Sequence, residues 1–323
     1  MRLSVIIPTR NRVRSLCLTL RALEDQTISK NEFEVIVVDN GSDSVSRRQL
    51  QAHNPAYRCT VLEKPHKGLA AARNFGASHA KGDILHFLDD DVICAPGTLD
   101  QHIRAHQNGA GQMVVVGSLP FAEHLAPSPF LWYLEKRGHY DVFRSPKGKY
   151  PGGKPPLPPL NGNASIPREL FLRIGSYDET FTRYGGEDLE LGYRLVKAGI
   201  PFVYHPAAIG YHNHTKNFSA FCADMEKAGE SLIRIYRKYP EIRSIKKIDI
   251  LADPITKLSG KKWIVKIVLS ASLSFPGVLT IPRLMTRKYA SRYAFRYLLF
   301  PFFYWVSQYH YAIGMKKGLV QGK

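Results

Sequence analysis

Three consecutive aspartates, Asp89, Asp90 and Asp91, close the apolar run DILHFLDDDV. Carboxylates gathered in this way suit a hard divalent cation such as Mg²⁺ or Mn²⁺, which keeps positions open for phosphate oxygens. Side chains alternate along extended backbone, so Asp89 and Asp91 share a face within reach of one ion. Like charges at the end of a buried strand repel one another unless a cation offsets them, and a solvated acidic turn is the plain alternative. A second acidic pair, Glu187 and Asp188, follows Gly185 and Gly186 at a helix start. Any carboxylate is favoured there by the helix dipole. Read functionally, one of the pair takes the proton of an acceptor hydroxyl, ionised but weakened by that same dipole. His205, His212 and His214 lie on or near one strand; His212 and His214 share a face, where a neutral imidazole either completes the metal site or serves as a hydrogen-bonded structural group. Asp39, in DNGSDS, is placed to accept from a base N–H or a ribose hydroxyl, or simply to form a turn. Arg73, on the helix after Lys67 and Gly68, is placed to face a diphosphate or solvent.

Positioning these groups takes a scaffold. LSVIIP reads as a buried strand, Val13, Leu16, Cys17, Leu20 and Leu23 recur at helical spacing, and EVIVVDN reads as a second strand. A strand at CTVLEK, a small-residue helix GLAAARNFGASHAKG and the strand of DILHFL continue the alternation. The pattern implies an α/β, Rossmann-like, mostly parallel sheet flanked by helices. Ligands of such sheets bind beyond the carboxyl ends of the strands, where Asp39 and the aspartates fall. Residues 145–163, SPKGKYPGGKPPLPPLNGN, are too rich in Pro and Gly for helix or inner strand and form a loop able to close over an acceptor. A helix over residues 187–197 and a histidine-bearing strand, PFVYHPAAIGYHNH, follow.

The 323 residues, 44% hydrophobic and 22% charged, have the composition of a folded protein rather than a disordered or fibrous one. Four widely spaced cysteines form neither a disulfide framework nor a metal knuckle, which points to a reducing, cytosolic compartment. Residues 231–323 hold 18 Lys and Arg against 3 acids, so this tail carries +15 of the chain's +18. Basic residues interleaved with Trp, Tyr, Phe, Leu and Ile suit an anionic surface. No signal peptide is expected at the opening run, which breaks at Pro8. Residues 267–282 and 297–315 are uncharged but interrupted by Pro276 and Pro301, so both are expected as interfacial helices rather than membrane spans.

Taken in order, VIIPTRNR (residues 5–12), VVDNGSDS (37–44), KGLAAARNFG (67–76), FLDDDV (87–92), NGNASIPRELF (161–171), GGEDLELGYRL (185–195) and GYH (210–212) resemble the family 2 glycosyltransferases over about residues 1–225. The resemblance implies a GT-A fold, a nucleotide-diphosphate sugar donor and a divalent metal, Mn²⁺ or Mg²⁺, on its diphosphate. It assigns Pro8, Thr9 and Arg10 to the nucleotide site, Asp39 to the base, and Lys67, Arg73, Asp89 and Asp90 to the nucleotide sugar. Asp89 and Asp91 become the DxD metal site with His212 as a further ligand, and Asp188, beside Glu187, becomes the catalytic base. Residues 1–93 are then the nucleotide-binding half, 94–225 the acceptor-binding half, and 226–323 a basic, amphipathic, membrane-associating extension.

The expected reaction is one inverting sugar transfer, since the QxxRW-like motif of processive members is missing. The expected acceptor is a lipid-linked or cell-surface polysaccharide precursor, met on the cytoplasmic face of a membrane to which the tail attaches peripherally. Two rivals are a sugar-phosphate nucleotidyltransferase and a non-catalytic basic module for membrane or nucleic acid; the first leaves Glu187, Asp188 and the tail without a role, and nucleic acid is not the expected partner.

Overall fold

The computed structural model describes residues 1–52, 54–109, 112–140, 143, 158–160, 162–183, 185–214, 216–243, 248, 273 and 276–320. Most of the Pro/Gly-rich stretch 145–163 and half of 267–282 lie outside the described residues. The chain divides into two compact units, the first formed by Met1–Leu125, Gly138–Thr182 and Glu187–His214, the second by Ala126–Arg137, Arg183–Gly186 and Thr215–Lys323.

The first unit opens with β1 (Leu3–Thr9), α1 (Val13–Glu24), β2 (Phe33–Asp39), α2 (Ser44–Gln51), β3 (Arg58–Glu63), α3 (Leu69–His79) and β4 (Ile84–Leu88). Then come β5 (Val92–Cys94), α4 (Thr98–Asn108), β6 (Val114–Ser118), β7 (Asn163–Pro167), α6 (Arg168–Arg173), α7 (Glu187–Lys197) and β8 (Phe202–His212), while α5 (Pro129–Arg137) belongs to the second unit. The eight strands form a sheet of order β3-β2-β1-β4-β7-β6-β8-β5. Strands β3, β2, β1 and β4 are mutually parallel, as the alternating pattern predicts, but β7 runs antiparallel to both β4 and β6, and β5 antiparallel to β8. The sheet is therefore mostly parallel, as expected, with six strands running one way and β5 and β7 reversed where the chain leaves the repeating strand-helix-strand units.

Alternation decides the two faces. Leu3, Val5 and Ile7 of β1 and Phe33, Val35 and Val37 of β2 pack with Leu16, Leu20 and Leu23 of α1. Ile6, Ile36 and Val38 point the other way, to Ala70, Ala72 and Ala77 of α3 and to Leu191 and Leu195 of α7. Every one of these side chains is buried, and each Val, Leu, Ile or Phe among them is worth about 1.5–3 kcal/mol. The small residues of α3 let it approach closely: a methyl on Gly76 would lie 2.6 Å from Ile6 Cγ2. This register sets Thr9 beside Asp39 at the carboxyl ends of β1 and β2.

A largely buried polar chain links β4 and β7 of the sheet to α4. Asn163 Nδ2 donates to the carbonyls of Ser118 and Ala208, which fixes its amide, so Oδ1 accepts from both His86 Nε2 and His102 Nε2 at 3.0 Å. His102 Nδ1 and His106 Nε2 both meet Ser165 Oγ at 2.8 Å. Burial pushes His86 and His106 down to about 4 and His102 well below its usual value. Between about pH 6.5 and 4 the unfolded chain takes up protons that the folded one refuses, so stability falls as pH falls, by about 3 kcal/mol for His86 alone. Urea unfolding at pH 7 and pH 5 should show about 2 kcal/mol of that loss for His86, and equal midpoints would rule it out.

The second unit is helical: α5, α8 (Phe218–Lys238), α9 (Thr280–Lys288) and α10 (Arg296–Val320). Phe130 and Tyr133 of α5 and Phe218 and Phe221 of α8 gather with Phe303 of α10. Helices α8 and α10 approach so closely that a methyl on Gly314 would collide with the Glu226 carbonyl. The last and longest segment of this unit starts at Thr215, and residues 225 and 226 lie within α8. Residues 297–315 lie in α10, which buries Leu299, Phe303, Val306, Tyr309, Ala312 and Met315 and leaves Tyr297 and Leu298 more than half exposed.

Candidate active site

The carboxyl ends of β1, β2 and β4 carry three groups of side chains. In the first, Asp39 is buried at the end of β2, its Oδ1 accepting from the Ser42 N–H at 2.9 Å and its Oδ2 from Arg47 Nε at 3.4 Å. Beside it Asn40 Nδ2 donates to the Gly68 carbonyl, and its buried Oδ1 has no partner. Gly68 holds φ +95, and a methyl there would lie 2.9 Å from Thr182 Cα, so both backbone and space require glycine.

The aspartates form the second group. They are not extended strand: β4 ends at Leu88, and the Val92 N–H returns to the Asp89 carbonyl at 3.2 Å, closing a turn before β5. The alternation that would have paired Asp89 with Asp91 therefore fails: Asp89 meets Arg73, while Asp90 and Asp91 share Arg12. Thr9 Oγ1 donates to Asp90 Oδ2 at 2.7 Å. Arg12 spans the other two oxygens, with Nη1 2.8 Å from Asp90 Oδ1 and Nη2 2.7 Å from Asp91 Oδ2. His212, at the end of β8, brings Nε2 to 3.9 Å from the same Asp91 oxygen. Tyr140 stacks on the His212 ring at 4.1 Å and Phe121 meets it edge-on at 5.5 Å. Burial pushes Asp90 up to about 7 against the pull of Arg12. Asp91 is also raised by burial, but His212 and Arg12 outweigh that and hold it below the usual carboxylate value.

Arg73 organises the third group. It is buried on α3, with Nη2 3.0 Å from Asp89 Oδ1, Nη1 3.0 Å from Glu187 Oε1, and its guanidinium 5.4 Å from the Tyr177 ring centre. One side chain thus ties the aspartate turn to the start of α7. Gly185 and Gly186, at φ 80 and 107, lead the chain into that helix. Burial and the neighbouring Asp188 push Glu187 up to about 7 while Arg73 pulls it down, and its Oε2 is buried without a partner. Asp188 is half-buried, accepts from the Leu189 N–H at 2.8 Å, and is raised by burial against Arg73. A base at this helix start is thus less weakened than the dipole alone implies.

Of the predicted site residues, the structure gathers Thr9, Asp39, Arg73, Asp89, Asp90, Asp91, Glu187, Asp188 and His212 within these groups. Pro8 lies within β1, while Arg10 and Lys67 are exposed. Arg12, Tyr140 and Tyr177 were not singled out; Arg12 ends the VIIPTRNR stretch, which was its one signal. No group of three or more His, Cys, Asp or Glu side chains among the described residues is arranged to hold a metal. Asp91 and His212 nonetheless offer a hard carboxylate oxygen and an imidazole Nε2 that face each other at 3.9 Å. That set fits a Mg²⁺- or Mn²⁺-type ion that draws its remaining ligands from water and phosphate.

Comparison with known proteins bears on the family and the fold. The description Glycosyl transferase family 2 matches residues 4–147, and Glycosyltransferase like family 2 matches residues 155–246. Validoxylamine A glucosyltransferase of Streptomyces hygroscopicus subsp. jinggangensis is 31% identical over 266 residues, 74% of this chain and 61% of that protein. Chondroitin synthase of Escherichia coli is 25% identical over 83% of this chain and 44% of its own length. The chain thus spans 61% or less of these two relatives. In fold it is similar to the mannosyltransferase PcManGT from Pyrobaculum calidifontis, solved with GDP-Man and Mn²⁺, at TM-score 0.61 and 19% identity over 100% of this chain and 88% of that one. It is also similar to S. aureus TarS 1–349, at TM-score 0.52 and 16% identity over 100% and 92%.

Proposed function

Because the chain belongs to glycosyltransferase family 2, we propose that it moves one sugar from a nucleotide-diphosphate sugar to an acceptor hydroxyl with inversion at the anomeric carbon. The observation that carries this reading is the Arg73 bridge, which holds the Asp89 turn and the Glu187–Asp188 helix start in one frame at 3.0 Å on each side. Asp39 takes the base end of the donor. Asp188 takes the acceptor's proton as the acceptor oxygen bonds to the anomeric carbon and the bond to the diphosphate breaks, its electron pair leaving with the nucleoside diphosphate. Arg73 keeps Glu187 and Asp89 in place, so that Asp188 stands next to a fixed carboxylate instead of a mobile one. Asp91 and His212 would hold the divalent ion, which when bound supplies Lewis-acid stabilisation of the leaving diphosphate.

The direct test is calorimetry of UDP, GDP, dTDP and CMP with and without Mn²⁺, on wild type and Asp91→Ala. One nucleotide should bind with metal dependence and lose about tenfold or more in the variant. Equal binding by both proteins would remove Asp91 from the site, and failure of every nucleotide would remove the donor reading.

For the acceptor, we propose a lipid-linked or cell-surface polysaccharide precursor, met at the cytoplasmic face of a membrane. Support comes from the second unit, which leaves Ile281 and Leu284 of α9 and Tyr297 and Leu298 of α10 more than half exposed beside Arg283, Arg287 and Lys288. Arg296 stacks its guanidinium over the Tyr293 and Tyr297 rings at 4.4 and 4.6 Å. Among the described residues no helix is long and apolar enough to cross a membrane, so such a surface would lie on the lipid. Truncating the tail would strip α10 from α8, so the informative variant is Arg283→Glu with Arg287→Glu on the exposed face. It should lose about tenfold in co-sedimentation with phosphatidylglycerol vesicles at 0.15 M salt; unchanged sedimentation would sink the surface.

A further inference from the structure

The chain already neutralises part of its own candidate cation site. Arg12 Nη2 sits 2.7 Å from Asp91 Oδ2, and this is the oxygen that faces His212 Nε2 at 3.9 Å. A cation held between Asp91 and His212 and the Arg12 guanidinium therefore draw on one and the same oxygen. The arginine is the looser partner: its side chain is 37% exposed, against 6% for Asp90, Asp91 and His212. Asp90 is anchored separately by Thr9, so it stays in place if Arg12 leaves.

Arg12 also has somewhere to go. It forms one wall of a groove of about 480 Å³ whose other lining includes Asn11, Arg14, Ser15, Ser46 and His214. Helix α1 begins at this wall with no side-chain cap and no acid in its first turn, so the positive end of its dipole faces the groove. Arg14, His214, Ser15 and Ser46 line it beside Arg12, so donors and positive charge outnumber acids there.

We propose that Arg12 is an exchangeable counter-cation: it neutralises Asp90 and Asp91 while the cation site is vacated, yields Asp91 when a divalent ion binds, and turns into the groove to pair with the donor's diphosphate. A divalent ion outcompetes a guanidinium at a shared carboxylate oxygen because its charge is doubled and concentrated. The released fork then finds phosphate oxygens, which it can engage with two parallel N–H bonds. The exchange makes metal and diphosphate mutually dependent: each supplies the charge that the other's arrival displaces. It rests on the metal-dependent transferase reading above.

The two halves of the exchange predict opposite signs in one variant, which a merely structural arginine would not produce. Free Mn²⁺ is followed by electron paramagnetic resonance in wild type, Arg12→Gln and Arg12→Lys, without nucleotide and then with UDP or GDP, with thermal melts to establish that each variant folds. Arg12→Gln should bind Mn²⁺ alone about tenfold more tightly, and bind the nucleotide with Mn²⁺ about tenfold more weakly. Arg12→Lys should move both in the same directions by less, and serves if the glutamine variant does not fold. Mn²⁺ binding that is unchanged or weaker in a folded variant would overturn the exchange while leaving the transferase reading intact. If wild type takes up no Mn²⁺ with either nucleotide, the metal-dependent reading falls, and the exchange with it.

Discussion

Asp188→Asn should lower the transfer rate by about a thousandfold while nucleotide binding stays within about twofold. The substitution keeps the size of the side chain and its acceptor oxygen for the Leu189 N–H at 2.8 Å, so the start of α7 should hold its geometry. What it removes is a group able to accept a proton. Burial raises the Asp188 carboxyl and Arg73 restrains it; the wild-type rate should therefore climb with pH as this raised carboxyl ionises, and that limb should be missing from the residual activity of the variant. Glu187 is the alternative base and behaves differently. Its Oε1 is committed to Arg73 and it is only 4% exposed, so Glu187→Gln should disturb stability before it disturbs proton transfer. Full turnover by Asp188→Asn, measured with the donor identified by calorimetry, would move the base elsewhere.

The parallel strands and the helices between them were readable because their periodicity is local: β1 and β2 are buried on both faces, and their alternate residues feed two separate clusters. The helix carrying Glu187 and Asp188 was readable at both ends from glycine and proline punctuation. The aspartate turn was misread for a physical reason. Alternation is a property of extended backbone, and nothing local shows that the strand stops at Leu88. Arg12 was missed because its partners lie 78 and 79 positions away, a pairing created by β1 and β4 standing side by side. The same holds for His86 and His102, whose shared acceptor Asn163 arrives on a strand that reverses the sheet direction. In the tail, α10 has apolar residues on every side. One set packs against α8 while Tyr297 and Leu298 are left exposed, a division that periodicity alone does not make.

Arg73→Met should be the most destabilising single change in the first unit, by about 3–5 kcal/mol near pH 8, because it leaves charge buried without compensation. Methionine fills much of the volume, so the loss isolates the charge. Glu187 would keep a buried carboxylate whose Oε2 is already unpartnered and whose Oε1 has just lost its 3.0 Å bond; Asp89, about one-third exposed, recovers water instead. The pH dependence follows from the sign of the shift. Glu187 already stands at about 7, above its unfolded value, and removing the arginine raises it further. A carboxyl raised in this way binds its proton more tightly folded than unfolded, so its contribution is present below the unfolded value and is lost as pH rises through the folded one. The deficit of Arg73→Met against wild type should therefore be small at pH 5 and grow toward pH 8. Adding Glu187→Gln should restore much of the loss, since the stranded charge is then gone. Urea unfolding of the two single variants, the double variant and wild type at pH 5 and 8 measures this directly, and a deficit independent of pH and of Glu187 would mean that Arg73 acts through packing on Tyr177 rather than through its two carboxylates.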